Sequence, residues 1–83
     1  MDIVPTNKFD EDVRYYIRKK KYQFIEDDLY EDIFKYLMED ILTGHEIRGL
    51  NLPQDEHIYK VRAKNTSINV GKSNGFRLIY LYT

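Results

Sequence analysis

His57 to Thr83, HIYKVRAKNTSINVGKSNGFRLIYLYT, decides how the rest of the chain is read. From His57 the hydrophobic period is two. Tyr59, Val61 and Ala63 fall on one face of a strand, and Lys60, Arg62 and Lys64 fall on the other. Cations in a row on one side of a strand repel one another unless an anion meets them, and no acid is interleaved here. Phe76 to Tyr82 reads as a second strand. It is nearly all apolar and aromatic, as expected of a central strand covered on both faces. Arg77 is its exception, and an arginine in such a strand requires a partner or a ligand. Antiparallel pairing of the two strands brings Arg77 beside the Lys60, Arg62, Lys64 face. Residues 65–75 between them read as a polar loop, with a strand fragment at residues 68–70. Gly71-Lys72-Ser73-Asn74-Gly75 has hairpin chemistry, because Asn-Gly favours a type I′ turn. The Gly-Lys-Ser triplet lacks the earlier glycine and the strand-to-helix context of a phosphate-binding loop, so that reading is rejected.

Charge divides the chain at the same place. The last stretch holds five Lys/Arg and no Asp or Glu, a net of +5, while everything before it holds eight Lys/Arg against fourteen Asp/Glu, a net of -6. The overall charge of -1 hides this split. An asymmetry of this kind points to a surface for a polyanion, with the acidic half as its support.

The chain of 83 residues makes one thin-cored domain. Eight tyrosines and four phenylalanines supply much of its apolar surface. The absence of cysteine excludes a disulfide framework and thiolate metal sites. No apolar run approaches the length of a membrane span, and the N-terminus lacks the pattern of a secretion signal, so a cytoplasmic location is expected.

Residues 2–6 suggest a short edge strand. Thr6 or Asn7 then offers an N-cap, with Asp10, Glu11 and Asp12 in the first turn of a helix whose Phe9, Val13, Tyr16 and Ile17 share a face. Arg18-Lys19-Lys20-Lys21 closes it. These cations suit a helix C-terminus and read first as a solvated end, with a second phosphate-contacting patch as the functional alternative. A turn near residues 21–23 leads into a longer helix. There Ile25, Leu29, Ile33, Leu37 and Ile41 repeat every four residues to about Leu42, with Gly44 expected at the position just past its end. The acids on its other side read as solvated. Residues 44–56 form a connector, pinned by Ile47, Leu50 and Leu52 and flanked by His45 and His57. Both histidines are acid/base candidates by residue type, but one beside a loop is more often incidental, so neither is assigned a catalytic role.

IYKVRAKN, followed by GKSNGFRLIYLY, resembles the RelE/ParE superfamily of toxins from bacterial type II toxin–antitoxin systems. It is most similar to the RelE-like branch, whose strands run roughly Tyr-Lys-x-Arg, then Gly-Lys-Ser-x-Gly-Phe-Arg, then an apolar strand. The helical hairpin and the Arg48-Gly49-Leu50 connector are similar in placement. The resemblance covers most of the chain, and its motifs are specific in the last third. It implies an α+β fold, with an N-terminal helical hairpin packed on a small antiparallel sheet. It also implies a ribosome-dependent mRNA endonuclease that inhibits translation, needs no metal or cofactor, and is held in check by a cognate antitoxin. The substrate's own 2′-hydroxyl attacks, and the protein supplies proton transfer and positive charge. On this resemblance Lys60, Arg62 and Arg77 are the catalytic residues, with Lys60 as the base and the arginines as phosphate clamps, and Lys64, Lys72 and Arg48 contact RNA.

The chain departs from the family at one end. The family continues past the strand resembling Phe76 to Tyr82 into a further strand and a tail that carries an arginine and often a tyrosine, whereas this chain ends at Thr83. The expectation is a single domain over residues 1–83 that is truncated at its C-terminus or completes its site differently. Tyr80 and Tyr82 are the substitutes at hand, though both suit a sheet face better. An uncovered strand there invites pairing with an antitoxin or a second copy. Three alternatives accompany the nuclease: a ParE-like inhibitor of DNA gyrase, a catalytically impaired remnant that binds antitoxin or RNA, and a generic basic-faced RNA-binding module. The clustered Lys60, Arg62 and Arg77 favour the nuclease over the gyrase inhibitor.

Overall fold

The computed structural model of the chain describes residues 2–83. Helix α1 (Asn7–Arg18) starts where the Thr6 hydroxyl accepts a hydrogen bond from the Phe9 N–H at 3.0 Å. The residues before it, expected as an edge strand, have no regular structure. Pro5 lacks the N–H that a ladder needs, and Thr6 is committed to the cap. Phe9, Val13, Tyr16 and Ile17 face the core, as their spacing requires. Lys21 adopts a left-handed conformation with φ 61° and reverses the chain. The run Arg18 to Lys21 is exposed at the end of α1, where cations complement the helix dipole.

The second helix is continuous but not uniform. It comprises α2 (Ile25–Leu29), a π-helical turn over Tyr30–Phe34, and α3 (Lys35–Met38). On an ideal α-helix a four-residue spacing drifts around the axis by about 40° per step. The wider π-helical turn offsets that drift, so Ile25, Leu29, Ile33 and Leu37 are all buried on one face. The helix ends at Met38 rather than near Leu42. Glu39 and Asp40 oppose the dipole at this end, and Asp40 takes the left-handed position (φ 60°) expected of Gly44. Ile41 and Leu42 therefore leave the stripe and are exposed. Gly44 serves the sheet instead: a Cβ there would lie 2.3 Å from the Lys60 carbonyl oxygen.

Two acids of this helix, read from sequence as solvated, are structural. Asp28 is 2% exposed and accepts from the Thr66 N–H and hydroxyl, both at 2.8 Å. Asp32 accepts from the Lys64 N–H at 2.8 Å. One helical turn apart, they clamp the chain where it leaves the sheet.

The sheet has three antiparallel strands in the order β1 (His45–Glu46), β2 (His57–Ala63), β3 (Phe76–Tyr82). Strand β1 lies inside the segment expected to be a plain connector. Strand β3, expected to be central and doubly covered, is at the edge. Its Leu78 and Tyr80 pack toward the helices, but Ile79 is 68% and Leu81 55% exposed on the opposite face. Val61, Ala63 and Phe76 close the core against the second helix. Each aliphatic side chain so buried contributes roughly 1.5–3 kcal/mol. The molecule is thus α+β, with two helices on one face of a small antiparallel sheet. No helix among the described residues is long and apolar enough to cross a membrane.

The β2–β3 connection is neither a type I′ hairpin nor a strand. Asn65 and Val70 bridge, Asn69 takes φ 58°, and two 3-10 turns (Thr66–Ile68, Lys72–Asn74) carry the chain to Gly75. Gly75 is required by contact rather than by φ: a Cβ would sit 2.0 Å from the Ala63 carbonyl oxygen. The Phe24 N–H donates to the Ser67 hydroxyl at 3.1 Å, which ties this loop to the start of the second helix.

Candidate functional site

The register of β2 and β3 builds the site. Arg62 stands opposite Arg77, and Lys60 opposite Ile79. Directly paired residues share a face, so two arginines stand side by side on the side of the sheet away from the helices. Like charges in register destabilise a sheet. Both arginines are exposed.

A concavity of about 560 Å³ gathers these groups. Lys60 and Arg62 of β2, Arg77 and Ile79 of β3, Lys72 of the loop and His45 of β1 line it. Asp32 reaches it from the second helix. The Arg62 Nη1 donates to the Ser73 carbonyl oxygen at 2.6 Å, which fixes one edge of the guanidinium and leaves its other donors for a ligand. Lys60, Lys72 and Arg77 take part in no ion pair among the described residues. The concavity therefore offers four cations, and an oxyanion entering it meets several donors from separate elements.

The expected residues divide accordingly. Lys60, Arg62, Arg77 and Lys72 come together. Lys64 does not line the concavity: it lies past the end of β2, with its ammonium 3.8 Å from Asp32. Arg48 is also outside it, exposed near Glu46 at 3.9 Å. Tyr80 is occupied elsewhere. Its hydroxyl donates to the Thr43 carbonyl oxygen at 2.6 Å, and its ring stacks on Tyr59 with centroids 5.3 Å apart. Burial, reinforced by the neighbouring Tyr59, pushes the Tyr80 phenol above its ordinary pKa. Tyr82 pairs with His57 on the same side as Tyr80, away from the cations.

Sequence reasoning set His45 aside as incidental. The register sets it opposite Lys60, on the same face. A strand of two residues has no period to read, so no sequence signal assigns His45 to the sheet. His57, the other histidine, holds Glu46 through its Nδ1 at 2.8 Å and is not part of the concavity.

No family model matches the chain, no curated protein matches it, and no solved structure matches it.

Proposed function

We propose that the chain is a RelE/ParE-like toxin domain, of the branch that cuts mRNA on the ribosome and is restrained by a cognate antitoxin in the cytoplasm. The observation that carries this reading is the in-register Arg62–Arg77 pair beside Lys60, on a face open to a ligand. A phosphodiester under attack by a neighbouring 2′-hydroxyl gains negative charge on its oxygens. Preorganised cations bind that state more tightly than the ground state, which is what lowers the barrier. Arg62 and Arg77 keep their protons and act as clamps. Lys60, an ammonium at their side, is placed to donate a proton to the leaving oxygen.

A second reading, RNA binding without turnover, is favoured by one observation: neither Tyr80 nor Tyr82, the phenols at hand, is on the cationic face. A ParE-like gyrase inhibitor shares the fold class but gives no reason for two arginines in register.

Expression in a bacterium tests the proposal. The unaltered chain is expected to slow growth and shorten transcripts, and Lys60→Ala and Arg77→Ala are each expected to relieve both effects. Growth that is unaffected, or slowed equally by all three proteins, contradicts the nuclease. Slowed growth with intact transcripts and inhibited DNA supercoiling supports the gyrase reading instead.

A further inference from the structure

We propose that His45 is the proton acceptor of this face, removing the proton from the attacking 2′-hydroxyl while Lys60 protonates the departing oxygen. This rests on the reading of the face as an RNA-cleaving site, and it assigns a residue that reading left out. β1 exists as a strand only at His45 and Glu46, and its register sets His45 against Lys60. Directly opposed residues of an antiparallel pair have Cβ atoms roughly 4.5–5.5 Å apart, so imidazole and ammonium reach the same small volume. Both line the concavity that Arg62 and Arg77 also line. The His45 side chain is exposed and makes no hydrogen bond or ion pair among the described residues, unlike that of His57, whose ring is held by Glu46.

Elimination within the concavity points the same way. The titratable and charged groups that face it are Asp32 from the second helix, Lys60 and Arg62 from β2, Lys72 from the loop and Arg77 from β3. Guanidinium and ammonium groups only donate. The Asp32 carboxylate accepts from the Lys64 N–H and lies by its ammonium, so it is engaged. Thr43 lines the concavity too, but its carbonyl oxygen is taken by the Tyr80 hydroxyl. An imidazole with a free nitrogen is the remaining group suited to accept a proton near neutral pH.

The step balances without an oxidant or reductant. The 2′-oxygen forms a bond to phosphorus and its proton passes to an imidazole nitrogen of His45. The bond from phosphorus to the 5′-oxygen breaks, and that oxygen takes a proton from the Lys60 ammonium. The products are a 2′,3′-cyclic phosphate and a 5′-hydroxyl. Water then carries the proton from the imidazolium back to the Lys60 amine.

The test uses the whole purified chain, ribosomes and a defined mRNA, with single-turnover cleavage followed from about pH 6 to about pH 8, across the histidine range. His45→Gln is expected to slow cleavage on the order of 10²- to 10⁴-fold and to abolish the rise of rate with pH, while leaving RNA binding as it was. Imidazole added to His45→Ala is expected to restore part of the rate, which a merely structural role would not allow. If His45→Gln cleaves as fast as the unaltered chain, or more slowly but with the same pH profile and no imidazole rescue in His45→Ala, the histidine's role is overturned and the nuclease reading stands. If the unaltered chain leaves the mRNA intact, both are overturned.

Discussion

Arg62 and Arg77 were visible in the sequence as cations on two strands, but only the register shows that they face each other. Opposed like charges cost a sheet stability, so under the proposed function stability and activity are expected to move in opposite directions. Arg77→Gln should raise stability by about 0.2–1 kcal/mol at low salt, a gain that shrinks as salt is added. The same change should slow RNA cleavage on the order of 10²- to 10³-fold. Urea unfolding at two salt concentrations checks the first part, and a loss of stability would mean that Arg77 has a structural partner. Lys64 shows the limit of alternation. The period of two put it with Lys60 and Arg62, but β2 ends at Ala63, and Asp32 binds both the N–H and the ammonium of Lys64 just beyond that end. Tyr80 carries a separate prediction. Its phenol is raised above the ordinary value by burial, so the folded state holds that proton more tightly than the unfolded chain does. The resulting stability is full below the ordinary tyrosine pKa of about 10 and is lost as pH rises through the folded value. Tyr80→Phe should lower stability by about 1 kcal/mol at neutral pH, through the lost bond to Thr43, and should flatten the alkaline decline. Thermal unfolding from neutral to alkaline pH measures both, and an equally steep decline in the variant would contradict the assignment.

At the scale of elements, the second helix was the most legible part and also the most misleading. Its apolar residues repeat every four positions, and that interval is itself a mark of the π-helical turn that keeps them aligned. The interval does not tell where the helix stops, because Ile41 continues it on paper while Glu39 and Asp40 end it in fact. Asp28 and Asp32 follow the same four-residue interval, yet acids at such spacing ordinarily face water. Nothing local reveals that each accepts hydrogen bonds from a loop more than thirty residues away. Asp28→Ala is expected to cost about 1–3 kcal/mol, because a buried carboxylate that accepts from both the Thr66 N–H and the Thr66 hydroxyl is lost. Hydrogen exchange at Thr66 should quicken with it, whereas unchanged protection would show that the clamp is dispensable. Both histidines are equally plain in the sequence. The two-residue β1 that gives one of them to the concavity and leaves the other with Glu46 could not be read, since pairing across a long connector leaves no periodic trace.

For the molecule as a whole, the split between an acidic half and a basic half was legible from composition alone, and the fold gives it a geometry. The helices cover one face of the sheet, the second of them acidic, and the opposite face presents Lys60, Arg62 and Arg77 with Lys72 of the loop beside them. Four cations around one concavity predict that the affinity for single-stranded RNA falls with salt, with a logarithmic slope of roughly -3, from about -0.7 for each phosphate neutralised. Titration of a fluorescent oligonucleotide at several salt concentrations gives that slope, and a value near zero would remove the polyanion reading. The most direct test is to map mRNA ends on translating ribosomes supplied with the purified chain. Cuts within the decoding site that disappear with Arg62→Ala and Arg77→Ala are the predicted result. Transcripts left intact by the unaltered chain, on ribosomes that a known mRNA-cleaving toxin does cut, would contradict it.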